Sequence, residues 1–164
     1  MALNNLKDVY LDQLQDLHSA CGQSIDAVTK LGQATKHDEL GKAMAAGSKG
    51  IADGMSNLEK ICGNHGIDPT GEFCKGMEGL VKEAHAHGLE EDFGSEDARD
   101  AMIITQYQRM VHYAIAGYGC CLAFAQRLGL QDDAAILKEC LEQTKEGDAR
   151  TSEIATTTVN ADAV

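Results

Sequence analysis

Apolar side chains recur every three or four residues along most of this chain, and the apolar and polar alternation of a β-strand is absent. A spacing of three and four places apolar residues on one face of an α-helix. The pattern predicts a long amphipathic helix over about residues 5–34 and a second over about residues 37–64, which stops at Gly66 ahead of Pro69. The buried stripe of the first helix is expected to contain Leu3, Leu6, Tyr10, Leu14, Leu17, Cys21, Ile25, Val28 and Leu31.

The second half of the chain indicates one short helix and two long ones. The short helix covers about residues 73–87, and a long helix over about residues 96–128 begins after Ser95, a good N-cap residue. Gly129 suits the end of that helix. Asp132 or Asp133 is predicted to cap a last helix over about residues 132–158, whose sparse apolar face predicts fraying toward Val164.

These elements define an expected architecture. Four long helices, two short turns and one longer crossover that carries a small helix are typical of a ferritin-like bundle. The sequence therefore predicts an all-α fold, a ferritin-like four-helix bundle with a short extra helix between helices two and three. One domain is expected over residues 1–164, because this length suits a single core.

Composition narrows the possible partners. Fourteen Lys and Arg against 26 Asp and Glu give a net charge of −12, and the basic residues are not clustered. We therefore expect no nucleic-acid partner and no membrane binding. No apolar run could cross a bilayer and the first residues do not resemble an export signal, which predicts a cytoplasmic protein. The six cysteines show no Cys-x-x-Cys spacing, so reduced thiols are expected.

Four segments of the chain resemble one known family over nearly its whole length. They are LKDVYLDQLQDLHSA, FCKGMEGLVKEA, QRMVHYAIAGYG and CLAFAQRLGLQDDAAILKECL. These segments are similar to the bacterial YciE and YciF family of ferritin-like proteins. The resemblance implies a bacterial, stress-associated four-helix bundle with a di-iron type of site, and it implies the fold more strongly than the function.

The carboxylates that such a site needs are missing. Two adjacent hard cations are typically held by one Glu from each of two helices and by Glu-x-x-His on the other two. No Glu-x-x-His occurs in this chain. Of the inward positions at that level only Asp148 is acidic, so we predict no catalytic residue and no metal or other cofactor, with bound iron or manganese as the alternative. The positions at which the resemblance implies an acid hold Cys21, Gly50, Val111, Ala114 and Thr144.

Two smaller arrangements involve polar groups on the predicted inward faces. His18 lies one turn before Cys21, and an imidazole with a thiolate can bind a soft metal, although a boundary histidine and a core cysteine are the commoner roles. Asp148 is predicted to accept a hydrogen bond from Tyr107 or Tyr118, because buried tyrosine hydroxyls need partners.

Glycine is unusually frequent in the second predicted helix. Gly41, Gly47, Gly50 and Gly54 each cost about 1 kcal/mol relative to alanine in a helix interior. Such small residues allow either of two outcomes. Either the bundle has contracted around the positions that lack the expected acids, or an apolar cavity remains at those positions.

The leading functional hypothesis is a non-enzymatic, metal-free, stress-associated protein that acts through self-association or protein contacts. A homodimer or a higher homo-oligomer is expected, because ferritin-like bundles commonly pair side by side and the chain offers an alanine-rich surface at Ala43, Ala45, Ala46 and Ala52. Two alternatives stay open. One is a di-iron or manganese oxidase or ferroxidase, and the other is a binding module whose apolar interior holds a small molecule or a soft metal.

Overall fold

The computed structural model describes residues 3–164, and these residues form helices and no strand. The helices are α1 (Leu6–Ala34), α2 (Asp38–Asn64), α3 (Lys75–His85), α4 (Glu96–Arg127), α5 (Gln131–Ile154) and α6 (Asn160–Asp162). A π-helical turn, Ala86–Glu90, continues α3, and a second one, Ala155–Val159, continues α5 into the short α6.

Local signals set most helix ends. The Asn5 side chain accepts a hydrogen bond from the Asp8 backbone amide at 3.0 Å, and Ser95 Oγ accepts one from the Ala98 amide at 3.1 Å. Gly66 and Gly129 have φ angles of 66° and 73°, which favour glycine and end α2 and α4. The predicted ranges of the long helices therefore lie close to the observed ones.

Two predictions about α5 are wrong. Its N-cap is Leu130, so neither Asp132 nor Asp133 caps it, and Asp133 turns into the protein interior instead. The helix does not end at about residue 158 as predicted, because helical backbone continues to Asp162. Ile154 and Val159 are buried in the same apolar cluster as Ile103, which holds this end of the chain against α4.

The four long helices pack as a bundle. Helix α1 lies against α2 and α4, and α5 lies against α4 and α2, while α3 in the crossover packs on α1 and α4. This arrangement confirms the predicted all-α bundle with an extra helix between its second and third long helices. No helix among residues 3–164 is both long and apolar enough to cross a membrane.

The bundle interior contains two apolar clusters that follow one another along its axis. One cluster includes Val28, Met44 and Ile103, and the other includes Tyr10, Leu58 and Leu137. All six of these side chains are almost completely inaccessible to solvent. The candidate site lies where the two clusters meet.

Candidate functional site

A cavity of about 510 Å³ lies in the middle of the bundle. Its inner wall comes from α1, α3 and α4, through residues such as Val28, Met77 and Met110. Its exposed lining residues all belong to α2 or α5, so the cavity opens to solvent between these two helices. Ligand pockets commonly have volumes of about 300 to 1,000 Å³, so this cavity is large enough for a small molecule.

The structure brings together the positions at which the resemblance implies acids. Cys21 on α1, Gly50 on α2, Val111 and Ala114 on α4, and Thr144 on α5 all line this one cavity. The Thr144 hydroxyl donates to the Cys140 carbonyl oxygen of its own helix at 2.7 Å. The interior at this level is therefore apolar apart from a few thiol and hydroxyl groups.

These residues do not fit a di-metal centre. The two acids that line the cavity are Asp53 and Glu146, and both are exposed at its mouth. The Asp53 carboxylate is paired with the Lys49 ammonium at 2.6 Å. Within residues 3–164, no three His, Cys, Asp or Glu side chains are grouped so that they could hold a metal ion. Two hard cations would lack both bridging oxygens and charge neutralisation here.

Asp148 is not part of the cavity lining, and the predicted tyrosine hydrogen bond to it is wrong. Its carboxylate instead lies 3.2 Å from Gln108 Nε2 and 3.1 Å from His112 Nε2, with 21% of the side chain exposed. The preceding residue, Gly147, lines the cavity in its place. One residue step turns a helix by about 100°, which moves Asp148 from the interior into the groove beside α4.

His18 and Cys21 have different surroundings. His18 is buried, and its Nε2 atom lies 3.2 Å from the Glu59 carboxylate on α2. Cys21 lines the central cavity, and its Sγ atom lies 3.6 Å from the Tyr118 hydroxyl. His18 therefore has a hydrogen-bond partner on α2, and it does not line the cavity that contains Cys21.

Burial keeps the cavity thiol protonated. It raises the pKa of Cys21 to about 11, although the hydrogen bond between Cys21 and Tyr118 acts in the opposite direction. Burial also raises the pKa of Tyr118 above its usual value. The thiolate is the form that attacks electrophiles and binds metals, so Cys21 is a poor nucleophile and a poor ligand at neutral pH. All six cysteines are free.

Two of the glycines in α2 make room for tyrosine rings. A Cβ atom at Gly54 would lie 2.5 Å from the Tyr118 hydroxyl oxygen, and one at Gly47 would lie 2.9 Å from that of Tyr107. At Gly50 a Cβ atom would have no neighbour within 4 Å. The glycine-rich helix therefore partly accommodates the two rings and partly borders open space. The second of the two outcomes that its small residues allowed, a remaining cavity, is the one observed.

A polar cluster that the sequence did not predict lies at one end of the bundle, with Tyr10 and Asp133 buried and Lys7 and His65 partly buried. Asp133 Oδ2 on α5 accepts a hydrogen bond from the Tyr10 hydroxyl at 2.9 Å and lies 2.6 Å from His65 Nε2. The other ring nitrogen, Nδ1, lies 2.9 Å from the Lys7 ammonium. Because an ammonium only donates, Nδ1 is the acceptor and Nε2 donates to Asp133. Burial lowers the pKa of Lys7, although Asp133 opposes this shift.

The acidic run at the start of α5 was the only sequence signal for this cluster, and it was interpreted as a helix cap. Tyr10 and Asp133 are 123 positions apart in the chain, so no local pattern connects them. The cluster ties α1, the end of α2 and the start of α5 together. Because the cluster lies outside the cavity, we interpret it as a contribution to the stability of the fold.

The four-helix bundle, the crossover helix and the position of the central cavity define a ferritin-like helical protein. The chain belongs to the family described as domain of unknown function DUF892, whose model matches residues 5–164. It is 30% identical to protein YciF of Escherichia coli strain K12 over 161 residues, which are 98% of this chain and 96% of the relative. The predicted membership of the YciE and YciF family is confirmed.

Solved structures show the same relationship. The crystal structure of the E. coli stress protein YciF is similar to this chain with a TM-score of 0.89 and 30% identity, over 96% of this chain and 99% of that one. YcfI from Rhodopseudomonas palustris is similar with a TM-score of 0.85 and 26% identity, over 91% of this chain and 94% of that one. The ferritin-like fold predicted from the sequence is therefore confirmed.

Proposed function

We propose that this chain is a non-enzymatic, metal-free ferritin-like protein of the bacterial cytoplasm that has a structural role in stress physiology. Two relatives support the role: the E. coli one is described as a stress protein, and the R. palustris one as a putative structural protein. The six free cysteines are consistent with a reducing compartment.

The observation that carries the proposal is the chemistry of the central cavity. Oxidation of ferrous ion or reduction of peroxide at a di-metal centre requires two cations held by carboxylates inside the bundle. At this level Cys21, Val111 and Ala114 contribute a protonated thiol and aliphatic groups, and the lining acids Asp53 and Glu146 are at the exposed mouth. The fold is retained, whereas the groups that perform metal chemistry are absent from the cavity wall.

Purified protein is therefore expected to oxidise ferrous ion and to consume peroxide no faster than buffer alone. The measurement follows ferric absorbance and oxygen uptake at neutral pH, with a di-iron ferroxidase as the positive control. The rival hypothesis, an iron or manganese oxidase, predicts a rate that rises in proportion to protein concentration and disappears after chelation. That result would contradict the proposal.

Self-association is the second part of the proposal. Ala45 and Ala52 are exposed and seven positions apart on α2, so they share one face that another helix can approach closely. Ala43 was expected on this surface, but only 7% of it is exposed, so that part of the prediction is wrong. We propose that the α2 face joins two copies of the chain in a homodimer.

Light scattering is expected to give about twice the 17.5 kDa chain mass at micromolar concentration. Ala52→Arg should shift the protein to monomer, because a long charged side chain blocks close approach of a second helix. Ala116→Arg is the matched control, since Ala116 is exposed on α4, and it should leave the mass unchanged. A mass of one chain at every concentration would refute the dimer.

A further inference from the structure

The central cavity has the features of a small-molecule site, apart from any structural role of the protein. It is enclosed on three sides by α1, α3 and α4 and opens between α2 and α5. Gly50 on α2 and Gly147 on α5 line the cavity near this opening without a side chain. The long side chains at the mouth are exposed, so they can move aside when a small molecule enters.

One polar group inside the cavity has no partner. The Tyr107 side chain lines the cavity and the residue is 3% exposed. Its hydroxyl makes no hydrogen bond with any residue of the described chain, 3–164. It lies beside the opening, since Cβ atoms at Gly47 and Gly147 would be 2.9 and 3.4 Å from its oxygen. Buried tyrosine hydroxyls normally find a partner, so this one is available to a ligand.

The three other hydroxyl groups that line the cavity already have partners. Tyr118 is paired with Cys21 through an oxygen to sulfur distance of 3.6 Å. Ser24 and Thr144 each donate to a backbone carbonyl oxygen of their own helix. Tyr107 is therefore the polar group on which a ligand would be oriented.

The distribution of charged residues around the cavity argues against an ionic ligand. The charged residues that line the cavity are Lys49, Asp53, Glu146 and Arg150, and all four are exposed at the mouth, two of each sign. Lys49 and Asp53 are already paired with each other. Among residues 3–164 no charged group lines the interior of the cavity, so a buried ionic ligand would lose its hydration without gaining a counter-charge.

We infer that the cavity binds a neutral, largely apolar small molecule with one hydrogen-bonding group, such as a phenol-like or quinone-like ring, oriented by the Tyr107 hydroxyl. Apolar walls such as Val28, Met77 and Met110 provide the burial, and the hydroxyl fixes one end of the molecule. This inference goes beyond the proposed structural role and stands or fails separately from it.

Equilibrium dialysis with three probes tests the inference at neutral pH. The probes are naphthol, naphthalene, which lacks the hydroxyl, and naphthoate, which adds a charge. We expect one naphthol per chain, naphthalene affinity about three to ten times lower, and no detectable naphthoate binding. Absence of naphthol binding, or naphthoate binding as tight as that of naphthol, would overturn the inference.

Two pairs of variants locate the site. Tyr107→Phe should lower naphthol affinity to the level of naphthalene and leave naphthalene affinity unchanged, because only the hydroxyl is removed. Tyr113→Phe is its control, since that hydroxyl bonds to Asp16 outside the cavity. Gly50→Leu should weaken both neutral probes by narrowing the opening. Gly63→Leu is the control for this change. Gly63 is also exposed on α2, and a Cβ atom there would likewise have no neighbour within 4 Å, so Gly63→Leu should weaken the binding of neither probe.

The variants can contradict the inference as clearly as the probes. If Tyr107→Phe binds naphthol as tightly as the parent, the hydroxyl does not orient the ligand. If Gly50→Leu and Gly63→Leu bind alike, the probes bind elsewhere on the protein. Either result would overturn the assignment of this cavity.

Discussion

Asp133→Ala is expected to lower the free energy of unfolding by about 3 kcal/mol. The carboxylate is 7% exposed and accepts from both Tyr10 and His65, so its removal leaves two donors without a partner in the interior. The Lys7 ammonium would also lose the nearby negative charge. Urea-induced unfolding at neutral pH measures the loss, and Asp133→Asn, which keeps one acceptor oxygen, should show a smaller one.

Asp132→Ala provides the matched control for this cluster. Asp132 is the exposed neighbour of Asp133, and both lie in the first turn of α5, so both interact similarly with the helix dipole. Loss of a surface carboxylate should change the unfolding free energy by no more than about 0.5 kcal/mol. Equal effects of the two substitutions would show that the buried cluster does not stabilise the fold.

Restoring acids around the cavity is the second change with a large expected effect. Val111→Glu alone is expected to cost about 3 kcal/mol, because position 111 is 6% exposed and the new carboxyl must stay protonated or lose its hydration. Cys21→Glu, Gly50→Glu, Val111→Glu, Ala114→Glu and Thr144→Glu together should instead regain manganous or ferrous ion binding. The cavity of about 510 Å³ leaves room for these side chains.

Thermal midpoints with and without manganous ion distinguish these outcomes. The combined variant should be stabilised by the metal, since binding energy adds to folding energy, whereas each single variant should not respond. Asp148 lies outside the cavity lining and is not expected to contribute a ligand. Ala116→Glu places the same acid on the exposed face of α4 and should be nearly neutral. If Val111→Glu is as stable as Ala116→Glu, position 111 does not face the cavity.

The helices could be predicted from the sequence because their signals are local. Helix α1 was predicted over about residues 5–34 and spans Leu6–Ala34, and α4 was predicted over about residues 96–128 and spans Glu96–Arg127. Both contain long apolar stripes, and both begin after a side chain that caps the first turn. Periodicity and capping act within a few residues, so no knowledge of the packed structure is needed.

The rotation of α5 could not be predicted in the same way. Large apolar residues are absent between Leu141 and Ile154, so nothing in the sequence fixes which side of this stretch faces inward. Asp148 was therefore placed inside, where Gly147 lies, and Asp133 was interpreted as a cap. Both orientations depend on partners on other helices, such as Gln108 and Tyr10.

The cavity was one of two outcomes that the small residues allowed. Whether a bundle contracts or keeps a void depends on the packing of all four helices, which composition does not determine. Here the Tyr107 and Tyr118 rings pack against Gly47 and Gly54 of α2, and the space beside Gly50 stays open. The sequence indicated which positions had lost their acids, but not that an unpaired hydroxyl lines the resulting cavity.

Metal content is the most direct test of the central claim, that the di-metal site of this fold is replaced by an apolar cavity. The protein is purified from cells grown in iron-rich medium, passed through gel filtration without chelator, and analysed for iron and manganese per chain. The absence of interior carboxylates predicts far less than one metal ion per chain. Two tightly held ions per chain would contradict the account.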